Sequence, residues 1–424
     1  MRLFKTLEDI VRRYVAKPLV IGGIIGILGF GRAVHANDVL VNTYTVNKQY
    51  GPDIAMNEEN IIITWASLYQ DLLTGIYAQR FDKEMSKVGE EFRVNPYTER
   101  GGFSQIAMAR EGNFVITWSW GGSVPVKAQR FDKDGNRIGD EFIVNDSIGG
   151  IQEFPRIVMD SEGNFLIAFR YAGYGYIYAQ RFDKDGNRIG EGFPLVGSES
   201  RIAMYPNGGF ITTSTDGTRE ALYASKYDWN ENLIYNVLVS LSKAGGLDSE
   251  LGDSSVAISD NDFVIAWKDY DDLGSHSVGV YAQRFDREGN KVGDEFRVNY
   301  RTENDQRNPD VAMDPEGNFV IAWTGWNGSI TTDVFAQRFD SKGRRVGDEF
   351  RVNSYIDGWQ SSPRIGMSNN GDFVIAWWGA GEEDDQGIYA KKFPFYNQAD
   401  LDHDGYVNFK DFAKFAENWL AYHP

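Results

Sequence analysis

Three observations predict an all-β chain folded as a seven-bladed β-propeller of four-stranded antiparallel blades. The phrase Ile-Tyr-Ala-Gln-Arg-Phe-Asp beginning at Ile76 returns with small changes at Val126, Ile177, Leu222, Val280, Val334 and Ile388, at spacings of 50, 51, 45, 58, 54 and 54 residues. Self-similarity at this period marks units that cannot bury their own apolar faces and must stack on one another. Each unit reads as two hairpins, which makes four strands, the size of one propeller blade. The last unit lacks its fourth strand, and a segment matching that strand stands near the other end of the chain.

The first hairpin of the unit is clearest from Pro309 to Trp323, where two short apolar runs flank the turn Pro315-Glu316-Gly317-Asn318. Its second run, Phe319-Val320-Ile321-Ala322-Trp323, is too short for a helix, rich in β-branched and aromatic residues, and apolar at odd and even positions alike. Both faces of that strand are therefore expected to be buried. Equivalent hairpins run from Ile54 to Trp65, Ile106 to Trp118, Ile157 to Phe169, Ile202 to Ser214, Val256 to Trp267 and Ile365 to Trp377. The second hairpin, clearest from Arg284 to Asn299, turns at Glu288-Gly289-Asn290, where a positive φ is cheap.

Closure follows from the ends. After Phe393 no Gly-Asp-Glu-Phe-Arg-Val-Asn segment follows, whereas Val39-Leu40-Val41-Asn42-Thr43-Tyr44-Thr45 matches Phe92-Arg93-Val94-Asn95-Pro96-Tyr97-Thr98. The N-terminal strand is expected to complete the seventh blade and so remove the open edges of the ring.

The domain organisation reads as a signal peptide over residues 1–36, the propeller over 37–396 and a short C-terminal segment over 397–424. Arg2, Lys5, Arg12, Arg13 and Lys17 precede a 14-residue apolar run at 18–31, and Val34-His35-Ala36 supplies small residues for a signal peptidase. The apolar run is short for a membrane span of about 20 residues. Cleavage after Ala36 is expected, leaving a secreted or cell-surface protein with no membrane attachment. The remaining chain has 37 basic against 59 acidic side chains, a net charge of −22, which argues against nucleic acid as a partner. No cysteine is present, so stability must come from core burial.

The sharpest chemical motif is the run Asp400 to Asp411. Calcium needs six to eight oxygens. Asp400, Asp402 and Asp404 stand at loop positions 1, 3 and 5, Gly405 at the bend, the Tyr406 carbonyl at 7, Asn408 at 9 and Asp411 at 12. Phe409, Phe412, Ala413, Ala416, Trp419 and Leu420 then fall at helical spacing on one stripe, giving an EF-hand-like loop-helix. This segment resembles one half of a type I dockerin, a family that uses two such segments to bind calcium and a cohesin partner. The resemblance implies Ca²⁺ binding here. A cohesin-like partner would meet only one segment, without the two-fold arrangement that recognition normally uses.

Within the propeller, residues that recur in every blade read as scaffold. Arg80, Arg130, Arg181, Arg284 and Arg338 on third strands are expected to pair across strands with Glu91, Glu141, Glu295 and Glu349. The Asp132–Asn136 and Asp183–Asn187 segments read as hairpin turns rather than cation sites. Function is expected where blades differ, above all in the loops after the Trp-ending strands. Trp120, Tyr174, Trp326, Trp359 and Trp378 are the candidate ligand-binding residues there, because aromatic planes among polar groups suit sugar rings. The acidic runs Asp269-Tyr270-Asp271-Asp272, near His276, and Glu382-Glu383-Asp384-Asp385 read first as solvated loop charge and second as carboxylate pairs for calcium or glycoside cleavage. With His276 alone in the propeller and no cysteine, a Cys-His pair or a multi-histidine metal site cannot be assembled.

The repeated Gly-Asn-Phe-Val-Ile-Ala-Trp and Tyr-Ala-Gln-Arg-Phe-Asp signatures, over about residues 39 to 393, resemble those of secreted bacterial propeller proteins. That resemblance implies the fold and export. The resulting expectation is a non-catalytic binding propeller for an extracellular carbohydrate or protein ligand, the alternative being a polysaccharide-degrading hydrolase or lyase. The fourth unit, Ile202 to Val239, has lost the Gln-Arg and Gly-Asp-Glu signatures and is a place where a ligand or partner could have replaced the repeat.

Overall fold

The computed structural model describes residues 38–395 outside the loop segments 71–72, 98, 121–124, 145–149, 173–175, 217, 243–251, 271–276 and 327–330, together with Asp411 and Lys414; of residues 172, 176, 198–200 and 252 only the backbone is described. Every repeat forms its own antiparallel sheet, and the described residues contain seven sheets of four strands. In the sixth blade the strands are Gln306–Met313, Phe319–Trp326, Thr332–Phe339 and Arg345–Arg351, in that order from the axis outward. The seven inner strands, Gln49–Met56, Gly102–Met108, Ile151–Met159, Ser198–Met204, Gly252–Ile258, Gln306–Met313 and Gln360–Met367, neighbour one another in turn, and the seventh meets the first. The fourth unit is a complete blade despite its lost signatures, with outer strand Leu233–Leu241.

The second strands are apolar on both faces because each sheet is sandwiched between two others. Ile61, Ile63 and Trp65 of the first blade pack with Val374, Ala376 and Ile388 of the seventh, while Ile62 and Ala66 of the same strand pack with Ile116 and Trp118 of the second. Trp65, Trp118, Trp267, Trp323 and Trp377 are thus core residues, none more than 2% exposed. Within blades, the aromatic opening the second strand stacks on the one closing the third, as in Phe319–Phe339 at 4.8 Å and Phe263–Phe285 at 4.8 Å between ring centroids. Removing one such side chain deletes large apolar area and leaves a void that the stacked sheets cannot collapse to fill. Trp323→Ala is expected to lower the unfolding free energy by about 3–5 kcal/mol, measured by urea denaturation.

The recurring arginines do not form the expected pairs within their own blades. Arg80 lies opposite Val88, whereas Ala78 lies opposite Phe92, so an irregularity between them carries Glu91 past the arginine. The arginine reaches the next blade instead. Arg80 donates to the Lys133 carbonyl at 3.0 Å, Arg130 to that of Asp185, Arg181 to that of Trp229 at 2.7 Å and Arg284 to that of Ser341 at 2.5 Å. Lys226 and Lys392 hold the same place in the fourth and seventh blades, donating to the carbonyls of Arg287 at 2.6 Å and Lys83 at 2.7 Å. Each acceptor lies in the outer hairpin turn of the following blade. Arg338 faces the seventh blade, which has no such hairpin, and lies over the rings of Phe350 and Phe373. The glutamates also link blades: Glu91 accepts the Thr43 N–H at 2.6 Å, Glu349 the Tyr300 N–H at 2.7 Å and Glu295 the Ser240 hydroxyl at 2.8 Å.

The N-terminal strand closes the ring as expected. Val39 and Leu40 stand opposite Ala390 and Tyr389, Val41 N–H donates to the Ile388 carbonyl at 2.8 Å, and the Asn42 side chain accepts the Ile388 N–H at 2.7 Å. One substitution adapts the seventh blade to this foreign strand. Where other blades use Gln79, Gln129, Gln180, Gln283 or Gln337 to donate to a glycine carbonyl of their own outer strand, the seventh has Lys391. Lys391 Nζ, with its side chain 4% exposed, reaches Asp38 at 3.3 Å, the Val352 carbonyl at 3.2 Å and the Ser354 hydroxyl at 2.8 Å. A single buried cation thereby ties the N-terminal strand, the seventh blade and the sixth.

Candidate functional site

All seven inner strands break register at the same place, between Tyr50 and Asp53, Gly102 and Gln105, Glu153 and Arg156, Ser198 and Arg201, Gly252 and Ser255, Arg307 and Asp310, and Ser361 and Arg364. In six of them the bulge contains a residue with positive φ: Gly51, Phe103, Phe154, Asp253, Asn308 and Ser362. Bulges bend a strand and re-aim the side chains beside them. Here they bring one residue per blade to the same level of the axis, in the order Asp53, Gln105, Arg156, Arg201, Ser255, Asp310 and Arg364.

This ring is charged but uneven. Three of its members satisfy backbone N–H groups that the neighbouring inner strand leaves unpaired at the channel: Asp53 accepts from Ile106 at 2.8 Å, Ser255 from Val311 at 3.3 Å and Asp310 from Ile365 at 3.0 Å. Arg364 Nε lies 3.8 Å from Asp53, so the two carboxylates flank one arginine on one side of the channel. On the other side Arg156 and Arg201 come from adjacent blades, between the neutral Gln105 and Ser255. Arg201 donates to the Ser254 carbonyl at 3.2 Å and Arg156 to its own Pro155 carbonyl at 2.9 Å. Arg156 Nε is buried with no hydrogen-bond partner among the described residues. Burial, then repulsion from Arg201 and Arg364, holds Arg156 well below the usual arginine range; burial, then Arg364, pushes Arg201 down to about 10. Asp53 is pushed up to about 6, first by burial, with Asp310 adding to the rise against the opposing pull of Arg364, the Ile106 N–H and Arg156. Side-chain exposures of 14% for Asp53 and 18% for Arg364 show that solvent still reaches the ring.

Two aromatic groups border the channel at the loop end. On the seventh and first blades, Trp359 and Trp378 meet edge to face with centroids 4.2 Å apart, and Lys48 Nζ lies 4.1 Å from the Trp378 ring and 5.9 Å from that of Tyr50. Trp378 stands opposite Ser361, and two residues earlier on the same strand Ala376 stands opposite Arg364, so the tryptophan lies about 7 Å along the sheet from the ring level. Gly379 belongs to this arrangement, because a Cβ there would lie 2.2 Å from the Trp359 carbonyl oxygen. On the second and third blades, Phe103 and Phe154 pack edge to face with centroids 4.7 Å apart. Arg170, ion-paired with Glu153 at 2.6 Å, lies over the Phe154 ring.

Of the ligand residues expected from sequence, Trp359 and Trp378 are brought together, and Trp359 and Trp326 are exposed, at 37% and 40%. Trp120 is partly buried beneath the Arg100 guanidinium, apart from that pair, and Tyr174 lies outside the described residues. Trp118 and Trp377 belong to the core. The Glu382–Asp385 run lines a cavity of about 380 Å³ with Thr45, Asn47 and Gln386. Its Asp384 has a structural task there, accepting from Asn42 Nδ2 and the Gln386 N–H, both at 2.9 Å. Asp269 is fully buried and accepts the Tyr270 N–H at 2.8 Å, while Asp271, Asp272 and His276 lie outside the described residues. The Asp132 and Asp183 carboxylates each accept N–H groups two and four residues on, as turn residues do. Asp400, Asp402, Asp404, Tyr406 and Asn408 lie outside the described residues, as does the segment 1–36; Asp411 is buried.

The ring and the two phenylalanines escaped the sequence reading. Sequence variation between blades is most visible in the loops, whereas the ring varies inside the bulged inner strand. A signal existed in the recurring pairs Pro52-Asp53, Pro155-Arg156, Pro309-Asp310 and Pro363-Arg364, each one residue before a conserved-looking apolar strand position within the repeat.

Comparison with known proteins supports the fold. No protein-family model and no curated protein matches the chain. Among solved structures it is similar to Kuenenia stuttgartiensis hydrazine synthase, at 12% identity and TM-score 0.52, over 86% of this chain and 99% of that one. It is also similar to the polysaccharide lyase Uly1, at 9% identity and TM-score 0.51, over 85% and 93% of the two chains. The β-propeller domain of the Trilobed protease from Pyrococcus furiosus matches at 7% identity and TM-score 0.49, over 84% and 97%. At such identities the likenesses to hydrazine synthase and to Uly1 show the fold alone.

Proposed function

We propose that the protein is a secreted, non-catalytic binding propeller that takes carbohydrate at the loop end of its central channel, with a calcium-ordered C-terminal segment. The observation that carries this reading is the Trp359–Trp378 pair, partly open to solvent, capped by Lys48 and set beside a polar channel. Indole faces stack on the C–H faces of sugar rings, and the ammonium and channel groups supply hydrogen bonds to hydroxyls. A glycan and polysaccharide array probed with residues 37–424, with calcium and with chelator, tests it. Binding that Trp378→Ala weakens at least tenfold is the expected result, and equal binding by that variant would refute this location.

A second reading, polysaccharide cleavage, draws on one observation: Asp53 is a channel carboxyl raised to about 6, in the range where an acid can give up a proton near neutral pH. A structural neighbour at TM-score 0.51 is a polysaccharide lyase, although the likeness itself is one of fold. An assay for new reducing ends or unsaturated products on any bound polysaccharide decides between the two readings.

For the C-terminal segment, Asp400→Ala is expected to abolish calcium binding by the tail, measured by calorimetry, while leaving the propeller's melting transition unchanged. Loss of the propeller fold in that variant would contradict an independent calcium segment.

A further inference from the structure

We infer that the paired guanidinium groups of Arg156 and Arg201 bind the acid group of an acidic saccharide, a carboxylate or a sulfate ester, whose ring rests on Phe154. This rests on the carbohydrate reading above and adds the chemical class of the sugar.

The ring order sets the argument. Arg156 and Arg201 stand on neighbouring blades with the uncharged Gln105 and Ser255 on either side, and the two ring carboxylates lie across the axis around Arg364. One side of the channel therefore concentrates positive charge in a protein of strongly negative net charge. A cleft with low-dielectric walls focuses such a field toward its mouth. Arg156 bonds its own strand's carbonyl through one terminal nitrogen, so its second terminal nitrogen is left to meet an acceptor in the channel. The planar fork of a guanidinium matches two oxygens of a carboxylate or sulfate.

Phe154 supplies the apolar face. It sits two residues before Arg156 on the same strand, in the left-handed region at φ 51, a conformation unusual for a bulky residue. Strained backbone of this kind persists where the surrounding structure demands it, and here the bulge that holds it also aims Arg156. Phe103, 46% exposed, packs edge to face with the ring, and the Arg170 guanidinium lies over one face of that ring.

The test is affinity for three probes: a neutral galactan, oligogalacturonate and a sulfated galactan, using the full mature chain. The acidic probe that fits is expected to bind at least tenfold more tightly than the neutral one. Arg156→Gln and Arg201→Gln should each lower that affinity about tenfold, the loss of one charge-assisted bond, and leave weak neutral binding in place. Arg344→Gln removes the same charge from an exposed outer turn, where the side chain is 73% exposed, and should change nothing. Asp53→Asn, which keeps an acceptor for the Ile106 N–H, should tighten the acidic probe. Melting curves confirm that each variant is folded. The uronate and sulfate arms identify the acid group. Equal affinity for neutral and acidic probes, or an equal loss from Arg344→Gln, overturns the inference while the carbohydrate reading stands. Failure of every saccharide to bind overturns both.

Discussion

Replacing Asp38 with alanine will destabilise the propeller by about 3 kcal/mol, the cost of leaving its buried partner without a countercharge. The partner is Lys391, whose side chain is 4% exposed and which can turn only to the Val352 carbonyl and the Ser354 hydroxyl when the carboxylate is gone. Asp38 also accepts the Ser354 N–H at 2.7 Å and the Tyr355 N–H at 3.3 Å, so its loss loosens the sixth blade's exit as well as the closing strand. Lys391→Met leaves Asp38 with those two donors and is expected to cost less. Adding Lys391→Met to Asp38→Ala should recover part of the loss, because an apolar side chain of similar length removes the orphaned charge. Urea unfolding of the four proteins measures the coupling. Single variants that add without interaction would show that the closure does not depend on this pair.

At pH 8, Asp53→Asn will be more stable than the natural protein by roughly 1–3 kcal/mol, and the difference will vanish near pH 4. The sign follows from the direction of the shift. Asp53 in the folded protein has a pKa of about 6, above its unfolded value, so the folded state holds the proton more tightly. Ionised Asp53 therefore costs stability above about pH 6, and that cost is relieved as pH falls through 6 toward 4. Facing it are Arg364 from the seventh blade, the Ile106 N–H and Gln105 from the second, Thr64 from its own second strand, Asp310 on the other side of Arg364, and Arg156 across the channel. Burial dominates these, and asparagine mimics the protonated form. Affinity for an acidic saccharide should rise as pH falls through 6 in the natural protein and stay flat in Asp53→Asn. A pH-independent stability difference would mean that the Asp53 carboxyl is not the group responsible.

The blade count, the four strands of each blade and the closing strand were legible because they follow from periodicity and from hydrophobic runs that only stacked sheets can bury. Lys391 in place of glutamine was visible in the sequence, but its meaning appears only when Asp38 and Ser354 lie beside it. The recurring arginines depart from the sequence expectation for a definable reason. Counting residues along Arg80–Glu91 assumes an unbroken register, and the irregularity between Ala78 and Arg80 removes that assumption, sending the arginine to the next blade. The channel ring was only partly legible, because the Pro-Asp and Pro-Arg pairs mark four of its seven residues, the seven differ in type and charge, and only the bulges bring them to one level. Phe103 and Phe154 had no sequence signal at all, since left-handed phenylalanines are dictated by the bulge and not by local propensity.

A crystal structure of the protein with a bound saccharide tests the central claim most directly. Density for sugar rings at the loop end of the channel, against Trp359 and Trp378 or over Phe154, is the result predicted here. Density confined to the outer hairpins or the blade rims would contradict a binding site at the channel mouth.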